Sequence, residues 1–140
     1  VASRGLGDVY KRQGSNNAGV ETEWELGPPS TVGPSAASSP ANCVGTNIDD
    51  YYGLDADLWL RTPVIDLTGY SSASLSFRHF RDIEIFDFGS IRILKASDDS
   101  EVEMLEDRTI VLDSGGMWEA YSKDLPPTAF AEPIRSEFLF

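Results

Sequence analysis

One cysteine, one histidine and few basic residues set the first limits on this 140-residue chain. A lone Cys43 can form neither an internal disulfide nor a cysteine-based zinc site. It sits in an apolar-edged stretch, Ala41-Asn42-Cys43-Val44-Gly45, and reads as a small buried hydrophobe rather than a reactive thiol. His79 stands in a strand-like stretch between Arg78 and Phe80, without a second histidine, and reads as a packed structural residue. No G-x-S-x-G, H-E-x-x-H or G-x-x-x-x-G-K-[ST] pattern occurs, so the serine hydrolase, zinc protease and P-loop classes have no carrier here, and no catalytic residue is assigned. Lys and Arg number 11 against 23 Asp and Glu, a net charge of −12, which excludes a phosphate-binding, nucleic-acid role. No apolar run approaches the roughly 20 residues of a membrane-spanning helix.

A long amphipathic helix is missing as well, and what stands in its place alternates. Ala73, Leu75, Phe77 and His79 fall on one face, with Ser74, Ser76, Arg78 and Phe80 on the other. Similar alternation over 89–96, 117–122 and 134–140, with short β-rich pieces at 24–26, 44–47, 58–67 and 109–112, predicts an all-β protein. Turn signals separate the pieces, at Asp66-Leu67-Thr68-Gly69, Asp98-Asp99-Ser100 and Asp113-Ser114-Gly115-Gly116. Pro63 has no N–H to donate and predicts an edge strand or a bulge. Residues 28–40, rich in Pro, Ser, Gly and Ala, read as a long loop. Only 101–107 offers a short helical turn. The fold class expected is all-β, a sandwich or a barrel.

The ends read differently from the middle. Asp8-Val9-Tyr10-Lys11-Arg12-Gln13 back-translates to a library-adapter sequence, so 1–13 are expected to be an unstructured artefact. Setting them aside leaves 8 basic and 22 acidic residues, which strengthens the acidic balance. Residues 14–19, of Ser, Asn, Gly and Ala, are expected to be a flexible lead-in and 20–140 to form the module. Phe138-Leu139-Phe140 ends inside an apolar alternation, so truncation is expected at both ends.

Chemistry has three candidate locations. Asp82, Glu84 and Asp87 cluster between two strands and could give a calcium ion oxygen ligands, with a solvated acidic turn as the plainer reading. Asp49 to Asp57 does not follow EF-hand spacing. Tyr51, Tyr52 and Trp59 could stack on sugar faces, although core packing is the commoner fate of such side chains. Paired carboxylates for glycoside hydrolysis are the third, and nothing separates an acid from a base among them.

Trp24-Glu25-Leu26-Gly27-Pro28-Pro29-Ser30, Gly45-Thr46-Asn47-Ile48-Asp49, Leu60-Arg61-Thr62-Pro63-Val64-Ile65-Asp66-Leu67-Thr68-Gly69 and Ala73-Ser74-Leu75-Ser76-Phe77-Arg78-His79-Phe80 stand in an order that resembles the MAM-like jelly-roll modules of bacterial secreted proteins, such as immune inhibitor A-type metalloproteases. The resemblance covers most of 20–140. It implies a jelly-roll sandwich, incomplete at the C-terminus, outside the cell or at its surface. It also implies a non-catalytic accessory role: binding a protein or glycan, or packing on a neighbouring domain of the parent chain. The alternatives are an ancillary domain of a secreted metalloprotease or carboxypeptidase, and a carbohydrate-binding module. Glu84 and Asp87 match the family's mid-chain acidic positions loosely. The family's G-W-x-I-D-D closing segment has no counterpart in this sequence.

Overall fold

The computed structural model describes residues 10–13 (backbone only), 22–39, 41–111 and 113–140. They are all-β and antiparallel, with one 3-10 turn at Pro127–Phe130. Nine strands run in chain order among them: β1 Tyr10–Gln13, β2 Trp24–Gly27, β3 Cys43–Thr46, β4 Leu58–Arg61, β5 Ser74–His79, β6 Gly89–Lys95, β7 Glu101–Ile110, β8 Glu119–Asp124 and β9 Ile134–Leu139. Five of these form a sheet in the order β1-β4-β9-β6-β7, while β2 pairs with β3 and β5 with β8.

The arrangement follows from where the apolar side chains point. β6 is buried on both faces, with Ile91, Ile93 and Leu94 fully inaccessible, as a strand with neighbours on each side and a layer above should be. Ile91 and Ile93 join Leu105, Ala129 and Ile134 in the core. Leu75 and Phe77 of β5 and Tyr121 of β8 pack onto that cluster from the second layer. Phe77 stacks on Tyr121 at 4.7 Å between ring centroids and meets Phe138 of β9 edge-on at 5.3 Å. Aromatic pairs of this geometry add to the burial they already provide. The result is a two-layer, sandwich-like body.

The opposite face of the large sheet is held by charge. Glu137 of β9 is fully buried between Arg61 of β4 and Arg92 of β6, each of which donates to a different carboxylate oxygen at 2.5 Å. The registers Arg61↔Glu137 and Arg92↔Glu137 put all three in one cross-strand row. Arg61 also reaches Asp99 at 2.7 Å, and Arg92 reaches Glu101 at 3.4 Å. A carboxylate taken fully out of water is tolerable only when both oxygens are satisfied in this way.

Two expectations need correcting. Residues 101–107 are strand, within β7. Glu, Met and Leu favour helix in isolation, but pairing with β6 lets Val102 and Leu105 reach the core, and that burial outweighs a weak local preference. Tyr10–Gln13, expected to stay outside the fold, pairs with β4 from Tyr10↔Arg61 to Gln13↔Leu58. An unpaired strand edge offers its backbone N–H and C=O groups to an extended neighbour. Residues 1–9 and 14–19 lie outside the described residues. Pro63 lies outside β4, which stops at Arg61 and is an internal strand rather than an edge, and pairing with β9 resumes at the Ile65↔Ile134 bridge.

β2 and β3 are crossed closely by Ile48. A Cβ added at Gly45 would stand 2.9 Å from Ile48 Cγ2, and one at Gly27 would stand 2.7 Å from Ile48 Cδ1. The Cδ1 end can swing aside, but Cγ2 is fixed near the backbone. Gly45→Ala is therefore expected to cost about 1–3 kcal/mol in urea unfolding, typical of overpacking, and Gly27→Ala less. Adding Ile48→Ala should recover part of the Gly45→Ala loss. A purely additive double mutant would show that the contact is not the cause.

Candidate functional site

Antiparallel registers gather several loops at one end of the molecule. His79 pairs with Glu119, Gly89 with Ile110 and Ser90 with Leu139, while Leu58 exchanges backbone hydrogen bonds with Phe140. The segments 47–57, 80–88 and 111–118 therefore emerge together.

These loops are braced by specific bonds. Ser114, nearly inaccessible, accepts the Arg81 N–H at 3.0 Å, and its own N–H donates to the Arg81 carbonyl at 3.0 Å. The Arg81 guanidinium bonds Glu119. Trp118 donates its indole N–H to the Ala36 carbonyl at 2.9 Å and meets Phe80 at 5.9 Å between rings. Asn47, with a left-handed φ of 50°, accepts the Glu23 N–H at 3.0 Å and donates to the Tyr51 carbonyl at 3.2 Å. Gly53 donates to Thr22 Oγ1 at 2.6 Å.

Tyr52 forms the most telling brace. Its hydroxyl accepts the Glu84 N–H at 3.0 Å and donates to Asp87 Oδ2 at 2.6 Å. The Asp87 N–H closes a four-residue turn onto the Glu84 carbonyl at 3.0 Å. Ile85 and Phe86 occupy the two corners, with 76% and 87% of their surface exposed. Neither has a positive φ, so the turn needs no glycine. Corners normally carry Gly, Pro, Asn, Asp or Ser. Two large apolar side chains held there by a clamp are out of place unless something covers them.

Burial and the Asp87 carboxylate push the Tyr52 hydroxyl from its ordinary 10 up to about 12. Tyr121 is raised too, by burial and by its bond to Glu106. A raised phenol pKa means that the folded state favours the protonated form. The stability this confers is complete below about pH 10 and is lost as pH rises towards 12. The melting temperature should thus hold steady up to about pH 10 and then fall. The Tyr52→Phe protein should show a shallower fall, and equal slopes would rule Tyr52 out as a contributor.

No family model, curated protein or solved structure matches the chain. The site must therefore be read from its own geometry. Of the candidate calcium ligands, Asp82 and Glu84 are exposed, and Asp87 commits an oxygen to Tyr52. Among the described residues, no group of three or more His, Cys, Asp or Glu is placed to hold a metal ion. Of the candidate sugar-stacking residues, Tyr51 is 70% exposed, while Tyr52 packs edge-on against Phe140 at 4.9 Å. Trp59 has one face covered by the Arg61 guanidinium, 4.0 Å from the ring centroid.

His79 lies edge-on to Phe77 at 5.6 Å, and its Nε2 is 3.8 Å from Glu119. Burial and the nearby Arg81 hold its imidazole below the usual range. Cys43 is half-buried, and burial pushes its thiol up, away from the nucleophilic thiolate. No helix of the described residues is long and apolar enough to cross a membrane. Sequence reasoning missed Ile85 and Phe86. The available signal was an apolar pair set between Glu84 and Asp87, outside any strand alternation.

Proposed function

We propose that this chain is a non-catalytic binding or accessory module, of the MAM-like jelly-roll type, carried by a larger protein outside the cell or at its surface. The observation that carries the reading is the braced loop end with its exposed apolar corner at Ile85 and Phe86. A rigid sandwich presenting shaped loops is a common platform for recognition. The spacing of motifs from Trp24 to Phe80 supports the same reading. Protein recognition is favoured over cation or glycan binding, because Asp87 and Tyr52 satisfy each other and Arg61 covers a face of Trp59.

A photo-crosslinking side chain placed at position 86 of the parent protein tests this, with position 74, an exposed site on β5, as the control. Crosslinks specific to position 86 are expected. A crosslink within the parent chain would mean an accessory role beside a neighbouring domain, and one to a second protein would mean adhesion. Equal labelling at both positions, or none at 86, would sink the proposal.

A further inference from the structure

We propose that the Glu84–Asp87 turn is a preformed anchor that inserts Ile85 and Phe86 into an apolar pocket, rimmed by Lys or Arg, on another protein. This rests on the recognition reading above and specifies the partner's chemistry. Three observations carry it.

The first is exposure without flexibility. Among the described residues Phe86 and Ile85 are the two most exposed large apolar side chains, yet they sit on a turn closed by its own backbone bond and pinned at both ends by one tyrosine hydroxyl. A corner already ordered in its bound shape loses little conformational entropy on docking, and buried aromatic anchors dominate interface energetics.

The second is charge. Asp82 and Glu84 lead into the corner, both exposed, and neither has a cationic partner among the described residues. The cation on the same loop, Arg81, is engaged by Glu119, and Arg108 lies over the Phe88 ring at 3.7 Å. An apolar centre with an acidic rim is complementary to an apolar pocket with a basic rim. The same carboxylates oppose insertion into an anionic lipid surface.

The third is support. Tyr52, the clamp, packs against Phe140, which pairs with Leu58 at the start of β4, so the turn is tied to the large sheet.

A random cyclic-peptide library, depleted on an Ile85→Ser/Phe86→Ser double variant and then panned on the wild-type chain, provides the probe. Enriched peptides should combine apolar or aromatic residues with Lys or Arg. Their affinity should fall about tenfold or more with Phe86→Ser, the loss typical of an interface anchor. It should fall severalfold with Asp82→Asn/Glu84→Gln, and weaken as salt is raised. Tyr52→Phe, which keeps both apolar side chains, should also weaken binding by loosening the turn.

Because Ile85 and Phe86 are exposed, the serine variants should melt with the wild type. Enriched peptides without basic residues, or peptides indifferent to Phe86→Ser, would overturn the proposal. So would co-flotation with phosphatidylcholine vesicles lost in Phe86→Ser, which would assign the corner to lipid, or Phe86-dependent self-association in sedimentation, which would assign it to a second copy. Crosslinking at position 86 combined with any of these would leave the recognition reading standing and remove only this one.

Discussion

Glu137→Ala is expected to destabilise the protein by about 3–5 kcal/mol, measured by urea unfolding, the range for breaking a buried ion pair from one side. The size comes from what is left behind. Arg61 and Arg92 approach the same carboxylate from neighbouring strands, and removing it leaves two like charges facing each other on a sheet surface only partly open to water. Glu137→Gln should cost less, because the amide keeps one acceptor, although its NH2 group must face a guanidinium. The reverse experiment separates specificity from stability. Replacing Arg61, Glu137 and Arg92 together by apolar residues of similar volume should lose far less than Glu137→Ala alone. If the triple variant is as unstable as the single, the row contributes net attraction, and the argument from desolvation fails.

The second large effect is expected in the core. Ile93 is fully buried on β6, between the second layer and the large sheet. Ile93→Ala should cost about 2–5 kcal/mol, the transfer of the lost methylenes plus the cavity they leave. A value near the top of that range is expected, because the position is flanked by the paired strands β7 and β9, which cannot easily collapse inward. Ile93→Val, which removes one methylene, should cost about 0.5–1.5 kcal/mol. Near-equal losses for the two variants would show that the site relaxes, and that the core is less rigid than its aromatic stacking implies.

The strands that were legible in the sequence are those with one wet and one dry face. β5 shows Leu75, Phe77 and His79 turned inward and Ser74, Ser76 and Arg78 outward, as a period of two requires. β7 was legible only at its end, around Thr109 and Ile110. Its first half, Glu101-Val102-Glu103-Met104-Leu105-Glu106, is composed largely of helix formers, and its state is decided by pairing with β6 across the short 96–100 turn. β1 carries no pattern at all, since it is recruited through backbone groups.

The candidate site was harder to read for a related reason. Asp82, Glu84 and Asp87 are adjacent in sequence, and the acidic cluster drew attention as a cation site. The partner that organises Glu84 and Asp87, Tyr52, arrives from 35 residues upstream of Asp87 and is visible only once β4 and β6 are placed. Glu137 was equally hidden, because it looks like one polar position in an alternating strand until Arg61 and Arg92 close on it from either side.

The large sheet has two unlike margins. On the β7 side, Glu101, Glu103 and Asp107 stand exposed along the outermost strand, a row of like charge that discourages a second strand from joining. On the other side the edge of β4 is taken by the backbone of Tyr10–Gln13, which is the outermost strand there. β4 thus has both of its edges bonded within the chain, while β7 keeps its own side closed to strangers.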